Sequence, residues 1–125
     1  MLGALRHWWP PIAYMVLIWI GSSLSNPVSV ESLPFRDKGV HALEYAILAV
    51  LLARALAGGP ARRSPLKCAL LALVLAVGWG YLDELHQAFV PSRDASLLDV
   101  LADALGASLG STAFWIHALW RSRAR

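Results

Sequence analysis

The sequence predicts an all-α protein, an integral membrane bundle of four transmembrane helices. The chain has 125 residues, of which 58% are hydrophobic and 15% are charged. This composition is too apolar and too poor in charge for a soluble domain of this length. Four stretches also approach the roughly 20 apolar residues that a helix needs to cross the hydrocarbon of a bilayer. The length allows one domain, covering residues 1–125.

The helices can be placed in order along the chain. Prolines and glycines mark the breaks between the apolar stretches. The first helix carries Pro10 and Pro11, which the sequence places in the first turn, where their missing N–H groups are not needed. The third helix is predicted to follow Ser64 as a cap and Pro65 as its first residue. The four predicted helices cover residues 8–24, 38–56, 66–89 and 96–120.

The first helix has a second interpretation. Arg6, the apolar run and the small residues after it also fit a cleaved signal peptide. If the helix is retained, alternating loops place eight of the eleven Lys and Arg residues on the side that holds both termini. The positive-inside rule then predicts that both termini are cytoplasmic. The net charge of +3 is therefore a topology signal, and no nucleic-acid partner is expected.

All the acidic residues belong to the opposite half, the predicted outer half. A rise of 1.5 Å per residue places Glu44, Asp83 and Asp103 each about 10 Å below the outer end of its helix. Charges at that depth are costly and usually mark a functional site, so we expect them to face the bundle interior. In the fourth helix, Gly106 and Gly110 would allow another helix to approach closely.

Nine residues of this polar layer are candidate site residues. A carboxylate would serve as general base, and His41 would relay the proton. Lys38 and Arg93 would hold an anionic group, although Arg93 could also pair with Glu84. Asp99 also fits a capping box with Ser96. The candidate catalytic residues are Glu44, His41, Asp83 and Glu84. The candidate substrate-binding residues are Lys38, Gln87, Arg93, Asp99 and Asp103.

A metal site is an open alternative for part of this set. His41, Glu44 and Asp83 offer one nitrogen and two oxygens, a combination that suits Zn²⁺ or Mn²⁺. The His-x-x-Glu pattern is loose, so we assign no metal ligand and no cofactor from the sequence. The single cysteine, Cys68, excludes a disulfide framework within the chain and a multi-cysteine metal site.

Three blocks of the sequence together resemble the VanZ-like family. They are DKGVHALEY at residues 37–45, DELHQAFVPSR at residues 83–93, and the run of Ser96, Asp99, Gly106 and Gly110. The resemblance covers nearly the whole chain, but Asp103 stands where many members have Asn. It implies a small multi-pass protein of the bacterial cytoplasmic membrane, in a family whose namesake is associated with low-level resistance to the glycopeptide teicoplanin.

Three classes of function remain open at this point. The first is an enzyme at the outer leaflet that acts on a lipid-linked cell-wall precursor or an anionic lipid. The second is a non-catalytic binder of an envelope lipid or of a glycopeptide antibiotic. The third is a small transporter or proton relay, which the lack of acids in the inner half disfavours. Membrane lipids are the expected partners in each case, and the sequence does not assign an oligomeric state.

Overall fold

The chain forms a bundle of four helices that follow one another with alternating direction. A computed structural model describes residues 2–24, 36–59, 63–91, 93 and 95–124. Every regular element among these residues is a helix, which agrees with the predicted all-α class. The helices are α1 (Leu2–Ser23), α2 (Arg36–Gly58), α3 (Pro65–Gln87) and α4 (Leu97–Arg123).

Helix α1 begins earlier than the sequence predicts. It starts at Leu2, so Pro10 and Pro11 lie inside the helix and the prediction of a first-turn position is wrong. The two prolines remove the N–H donors that would pair with the carbonyls of Arg6 and His7. Arg6 is exposed, so water can reach the backbone there and bond to a freed carbonyl. The helix continues through both prolines.

The start of α3 agrees with the sequence. Ser64 has an extended backbone, with φ of −64° and ψ of 150°, and its hydroxyl accepts a hydrogen bond from the N–H of Lys67 at 3.4 Å. Pro65 occupies the first helical position, where its fixed φ suits the helix and its missing N–H has no cost.

The bundle interior consists largely of small side chains. Buried alanines lie on three helices, and many large aliphatic residues point outward, with Leu109 70% exposed and Val74 68% exposed. A soluble bundle buries its leucines, whereas helices in a membrane approach through small residues and present apolar side chains to lipid. The buried alanines are Ala49, Ala53, Ala55, Ala69, Ala72, Ala76, Ala102 and Ala107.

Helices α2 and α4 approach each other most closely at two glycines. A Cβ added at Gly106 would collide with the backbone carbonyl of Ala42, and one at Gly110 would collide with that of Ala46. The glycines are one helical turn apart, so they form a flat stripe against α2. The close approach expected of this pair is confirmed.

Three of the four helices are long and apolar enough to cross a membrane. They are α2 from Lys38 to Gly58, α3 from Pro65 to Gln87 and α4 from Leu97 to Arg123. Helix α1 has 22 residues. It packs on α2 and α3 but, among the described residues, does not reach α4. That α1 is a fourth span, and that both termini are cytoplasmic, stay predictions.

Candidate functional site

The candidate site residues lie at one end of the bundle. Helices α1 and α3 end there, as the hydrogen bond between Ser22 and Asp83 shows. Helices α2 and α4 begin there, as the hydrogen bond between Lys38 and Asp99 shows. We call this the polar end. Of the residues in the sequence motifs, Ser92 lies outside the described part of the chain.

A pocket of about 270 Å³ opens between α1, α2 and α3 at this end. We call it the polar pocket. Its lining includes aliphatic residues of α1 and α2, among them Leu17, Ile18 and Val40. It also includes charged and polar side chains, among them His41, Glu44, Asp83, Gln87 and Arg93. Five of the nine predicted site residues therefore line one cavity.

Asp83 is held in the polar pocket by neutral donors. The Ser22 hydroxyl donates to its Oδ1 at 2.6 Å, and the Gln87 amide donates to its Oδ2 at 3.1 Å. The carboxylate is buried, and a buried charge needs such hydrogen bonds to be tolerated. The Gln87 contact spans one helical turn, as the i, i+4 spacing predicts. Ser22 was not a candidate, since one serine in an apolar helix carries no specific signal.

Arg93 contacts backbone oxygens of α1. Its Nε donates to the Leu24 carbonyl at 3.2 Å, and its Nη2 donates to the Gly21 carbonyl at 3.0 Å. The last carbonyls of a helix lack the regular partner one turn further on, so the guanidinium caps α1, although the Gly21 carbonyl also accepts the Leu24 N–H at 3.4 Å. Among the described residues the ion pairs do not include one between Arg93 and Glu84, so that alternative is wrong. Arg93 lines the polar pocket, and its binding role stays a prediction.

Glu84 instead holds the start of α4. Its Oε2 accepts the backbone N–H of Ser96 at 2.9 Å. In a capping box this N–H would go to the third helical residue, Asp99. The Ser96 hydroxyl caps the helix as predicted, accepting from Leu98 N–H at 3.2 Å, but the reciprocal half comes from another helix. The capping box is therefore half formed.

Asp99 is used for an ion pair between helices. Its Oδ1 lies 2.7 Å from the ammonium nitrogen of Lys38, which joins the first turns of α2 and α4. Because Glu84 takes the Ser96 N–H, the Asp99 carboxylate is available to Lys38. Lys38 is partly exposed and Asp99 is buried, so the pair lies at the edge of the bundle interior.

Asp103 is the most deeply buried of the acids whose side chains the structure describes, with an exposed fraction of 1%. Its Oδ1 lies 3.0 Å from Nδ1 of His41. Gly80 of α3 makes room for it, since a Cβ there would lie 2.8 Å from Oδ2 of Asp103 and 3.1 Å from the ring of Tyr45. We call Glu84, Asp99 and Asp103 the carboxylate cluster.

His41 belongs to both groups. Its ring lines the polar pocket beside Glu44, and its Nδ1 contacts the carboxylate cluster through Asp103. All nine predicted site residues therefore lie in the polar pocket or in the carboxylate cluster with its partner Lys38. Their catalytic and binding roles stay predictions.

His86 lies outside both groups. Its ring stacks on Trp19 with centroids 4.0 Å apart, and its Nε2 lies 2.8 Å from the Ser23 hydroxyl. The residue is half-buried. This agrees with its position on α3, away from the side that carries Asp83 and Gln87.

The metal alternative takes a different form in the structure. The sequence suggested His41 with Glu44 and Asp83. Among the described residues, the group whose ligand atoms come within 4.8 Å of one another is His41, Glu84 and Asp99. Helix rotation decides this, because Glu84 faces α4 whereas Asp83 faces α1.

These features define a class: a helical membrane protein with a buried polar site at one end of its bundle. The model of the VanZ/LLP1 family matches residues 8–120. The chain therefore belongs to the VanZ/LLP1 family. Neither a curated protein nor a solved structure matches it significantly.

Proposed function

We propose that the polar pocket binds the anionic head group of a membrane lipid and supports hydrolysis or group transfer there. The first candidate substrate is a lipid-linked cell-wall precursor, and another anionic lipid is the second. The proposed location is the outer leaflet of a bacterial cytoplasmic membrane. Family membership supports a membrane protein, and the pocket supports the kind of ligand.

One observation carries the proposal. The polar pocket places an arginine, a histidine and carboxylates directly beside aliphatic residues, among them Leu17 and Val40, that are exposed on the bundle surface. An amphipathic lipid needs this combination, because its head group requires polar partners while its chains stay in hydrocarbon. Because aliphatic residues of the lining are also exposed on the bundle surface, the pocket suits a ligand whose chains stay in the bilayer.

The pocket residues can be given roles. Arg93 has five N–H donors, of which two contact carbonyl oxygens of α1, so the guanidinium can also hold a phosphate. Glu44 would act as general base toward water or a hydroxyl group. His41 lies between the pocket and Asp103, a geometry in which a carboxylate stabilises an imidazolium during proton transfer.

A role in glycopeptide resistance would follow from this chemistry. Teicoplanin-type antibiotics act on cell-wall precursors, so a protein that modifies or occupies a lipid-linked precursor would alter what the antibiotic meets. The family resemblance supports this part of the proposal, and the pocket supports the lipid.

The test uses the purified chain in lipid nanodiscs with a polyprenyl diphosphate as probe. We expect saturable binding that Arg93→Ala weakens at least tenfold, and turnover that Glu44→Gln abolishes while binding remains. Lys67→Ala, at an exposed basic residue of the other end of α3, is the matched control and should behave as wild type. Equal binding by wild type and Arg93→Ala would refute the proposal.

A non-catalytic binder is the second candidate. Asp83 and Arg93 both hold neighbouring helices in place, so the same residues could shape a pocket without performing a reaction. This candidate predicts that Glu44→Gln keeps full function in cells, whereas Arg93→Ala loses it.

A transporter or proton relay has less support. The opposite end of the bundle contains a cavity of about 1020 Å³ whose ionisable lining residues are all basic. A relay of carboxylates across the bundle would need acids there. The ionisable residues of this lining are Arg6, His7, Arg54, His117 and Arg121.

A further inference from the structure

The carboxylate cluster contains a buried oxygen with no partner in the described part of the chain. Glu84 is 5% exposed, and while its Oε2 accepts the Ser96 N–H, its Oε1 is fully buried and has no hydrogen-bond partner among the described residues. A buried carboxylate oxygen without a donor is costly. Such an atom in a native protein usually indicates a water or an ion at that position.

The oxygen belongs to a group with ligand geometry. Ligand atoms of His41, Glu84 and Asp99 all lie within 4.8 Å of one another, and they come from α2, α3 and α4. Two ligands bound at about 2.1 Å to one tetrahedral ion lie about 3.4 Å apart. Movements of less than about 1 Å in each side chain would therefore close the site around an ion.

His41 is already oriented as metal-binding histidines are. Its Nδ1 contacts Oδ1 of Asp103 at 3.0 Å, and Gly80 gives that carboxylate its place in the interior. A carboxylate on one ring nitrogen fixes the tautomer and directs the other nitrogen at a metal. With Nδ1 held by Asp103, Nε2 is the nitrogen that would ligate.

The charge of the cluster also favours a cation. Glu84, Asp99 and Asp103 are all buried. Among the described residues, the ion pairs to them are Lys38 with Asp99 and His41 with Asp103, and the second is charged only when His41 is protonated. When these carboxyl groups are ionised, a divalent cation would offset their negative charge.

We propose that His41, Glu84 and Asp99 bind one divalent transition-metal ion, with Asp103 as the residue that positions His41. One imidazole and two carboxylates are the donor set of Zn²⁺ and Mn²⁺. Asp99 has two oxygens, so one can keep Lys38 while the other binds the ion. The inference goes beyond the proposed function, because an ion can bind here whether or not the polar pocket holds a lipid.

The test measures metal binding directly. The chain is purified in nanodiscs, stripped with a chelator and titrated with Mn²⁺, with free Mn²⁺ followed by its electron paramagnetic resonance signal and Zn²⁺ by calorimetry. We expect one equivalent of either ion to bind with saturation. Glu84→Gln should lower the affinity at least tenfold, and Asp103→Asn should lower it roughly 10- to 100-fold while one site remains.

The matched control is Asp83→Asn. This residue directly precedes Glu84, is also buried, and has both carboxylate oxygens bound to Ser22 and Gln87. It should bind the ion as wild type does. Equal affinities of Glu84→Gln and wild type, or no saturable binding by wild type, would overturn the proposal.

A second variant keeps the proposal testable even if the Glu84→Gln variant does not fold. Lys38→Met removes the ammonium group that lies 2.7 Å from Asp99. That ammonium group repels a cation and competes with it for the carboxylate. We expect it to bind Mn²⁺ more tightly than wild type does. Unchanged or weaker binding by a folded Lys38→Met variant would also count against the site.

Discussion

The backbone N–H of Ser96 donates to Oε2 of Glu84 across 2.9 Å, so a side chain of α3 caps the first turn of α4. The acceptor is a buried carboxyl oxygen, and a hydrogen bond to the ionised form of such a group is stronger than one between neutral groups. It also explains why the neighbouring Asp99 contacts Lys38 and not its own helix end. The contact of Glu84 with Ser96 thus leaves the Asp99 carboxylate to pair with Lys38.

Removing this acceptor should destabilise the bundle. Glu84→Ala is expected to cost about 1.5–3 kcal/mol, the range for hydrogen bonds to charged groups. Glu84→Gln keeps an oxygen for Ser96 and should cost less. The free energies of unfolding can be compared by titration with sodium dodecyl sulfate, followed by circular dichroism. Equal stability of the alanine and glutamine variants would contradict the assigned bond.

Gly106→Ala should be among the most damaging small substitutions. Its Cβ would collide with the Ala42 carbonyl of α2, and overpacking against backbone cannot be relieved by a rotamer change. We expect a loss of about 3 kcal/mol or more, at the upper end of the range for overpacked sites. Gly78→Ala is the control, because nothing lies within 4 Å of a Cβ there. It should be neutral or stabilising by up to about 1 kcal/mol, and a comparable loss in both variants would refute the steric explanation.

The hydrogen bond between Ser22 and Asp83 should be measurable as an interaction between α1 and α3. A double-mutant cycle with Ser22→Ala and Asp83→Ala is expected to give a coupling energy of about 0.6–1.7 kcal/mol. Ser108→Ala provides the control, since its hydroxyl bonds to the Ala104 carbonyl of its own helix. The loss of unfolding free energy caused by Ser108→Ala should simply add to the loss caused by Asp83→Ala. Additivity in the first cycle as well would show that the 2.6 Å contact contributes no energy.

Tyr45 offers a test of the interior. Its side chain is 1% exposed and its hydroxyl has no hydrogen-bond partner among the described residues. Tyr45→Phe should therefore leave the unfolding free energy unchanged or raise it, because a buried unpaired hydroxyl is unfavourable. Tyr45→Ala, which leaves a cavity, should cost about 3–5 kcal/mol. A loss above about 1 kcal/mol in the phenylalanine variant would show that the hydroxyl has a partner, such as an ordered water.

The sequence predicted the helices well where hydropathy alone decides them. The apolar stretches of α2, α3 and α4 and the Ser64-Pro65 start are found as expected. The start of α1 was missed because Pro10 and Pro11 look like a first turn. Prolines in a helix interior depend on the surroundings of the freed carbonyls, which composition does not report.

The sequence predicted which residues lie together in the candidate site, but not which partner each of them contacts. Helical spacing placed Asp99 and Asp103 on one stripe, and the structure brings both to α2. Spacing could not show that Asp83 faces α1 while Glu84 faces α4, since this depends on which helices are neighbours. The partners of Arg93 were unpredictable for a related reason: backbone carbonyls carry no signal in the sequence.

The glycine stripe of α4 has a consequence for how a ligand reaches the interior. The backbones of α2 and α4 meet at Gly106 and Gly110 so closely that not even a methyl group fits between them. This seam is closed to any molecule arriving from the bilayer. The polar pocket lies between α1, α2 and α3, and its lining includes Leu17 and Val40, which are exposed on the bundle surface, so we expect a lipid to enter there. A lipid held there by its head group would leave its tail outside the bundle, so tail length should have little influence on recognition.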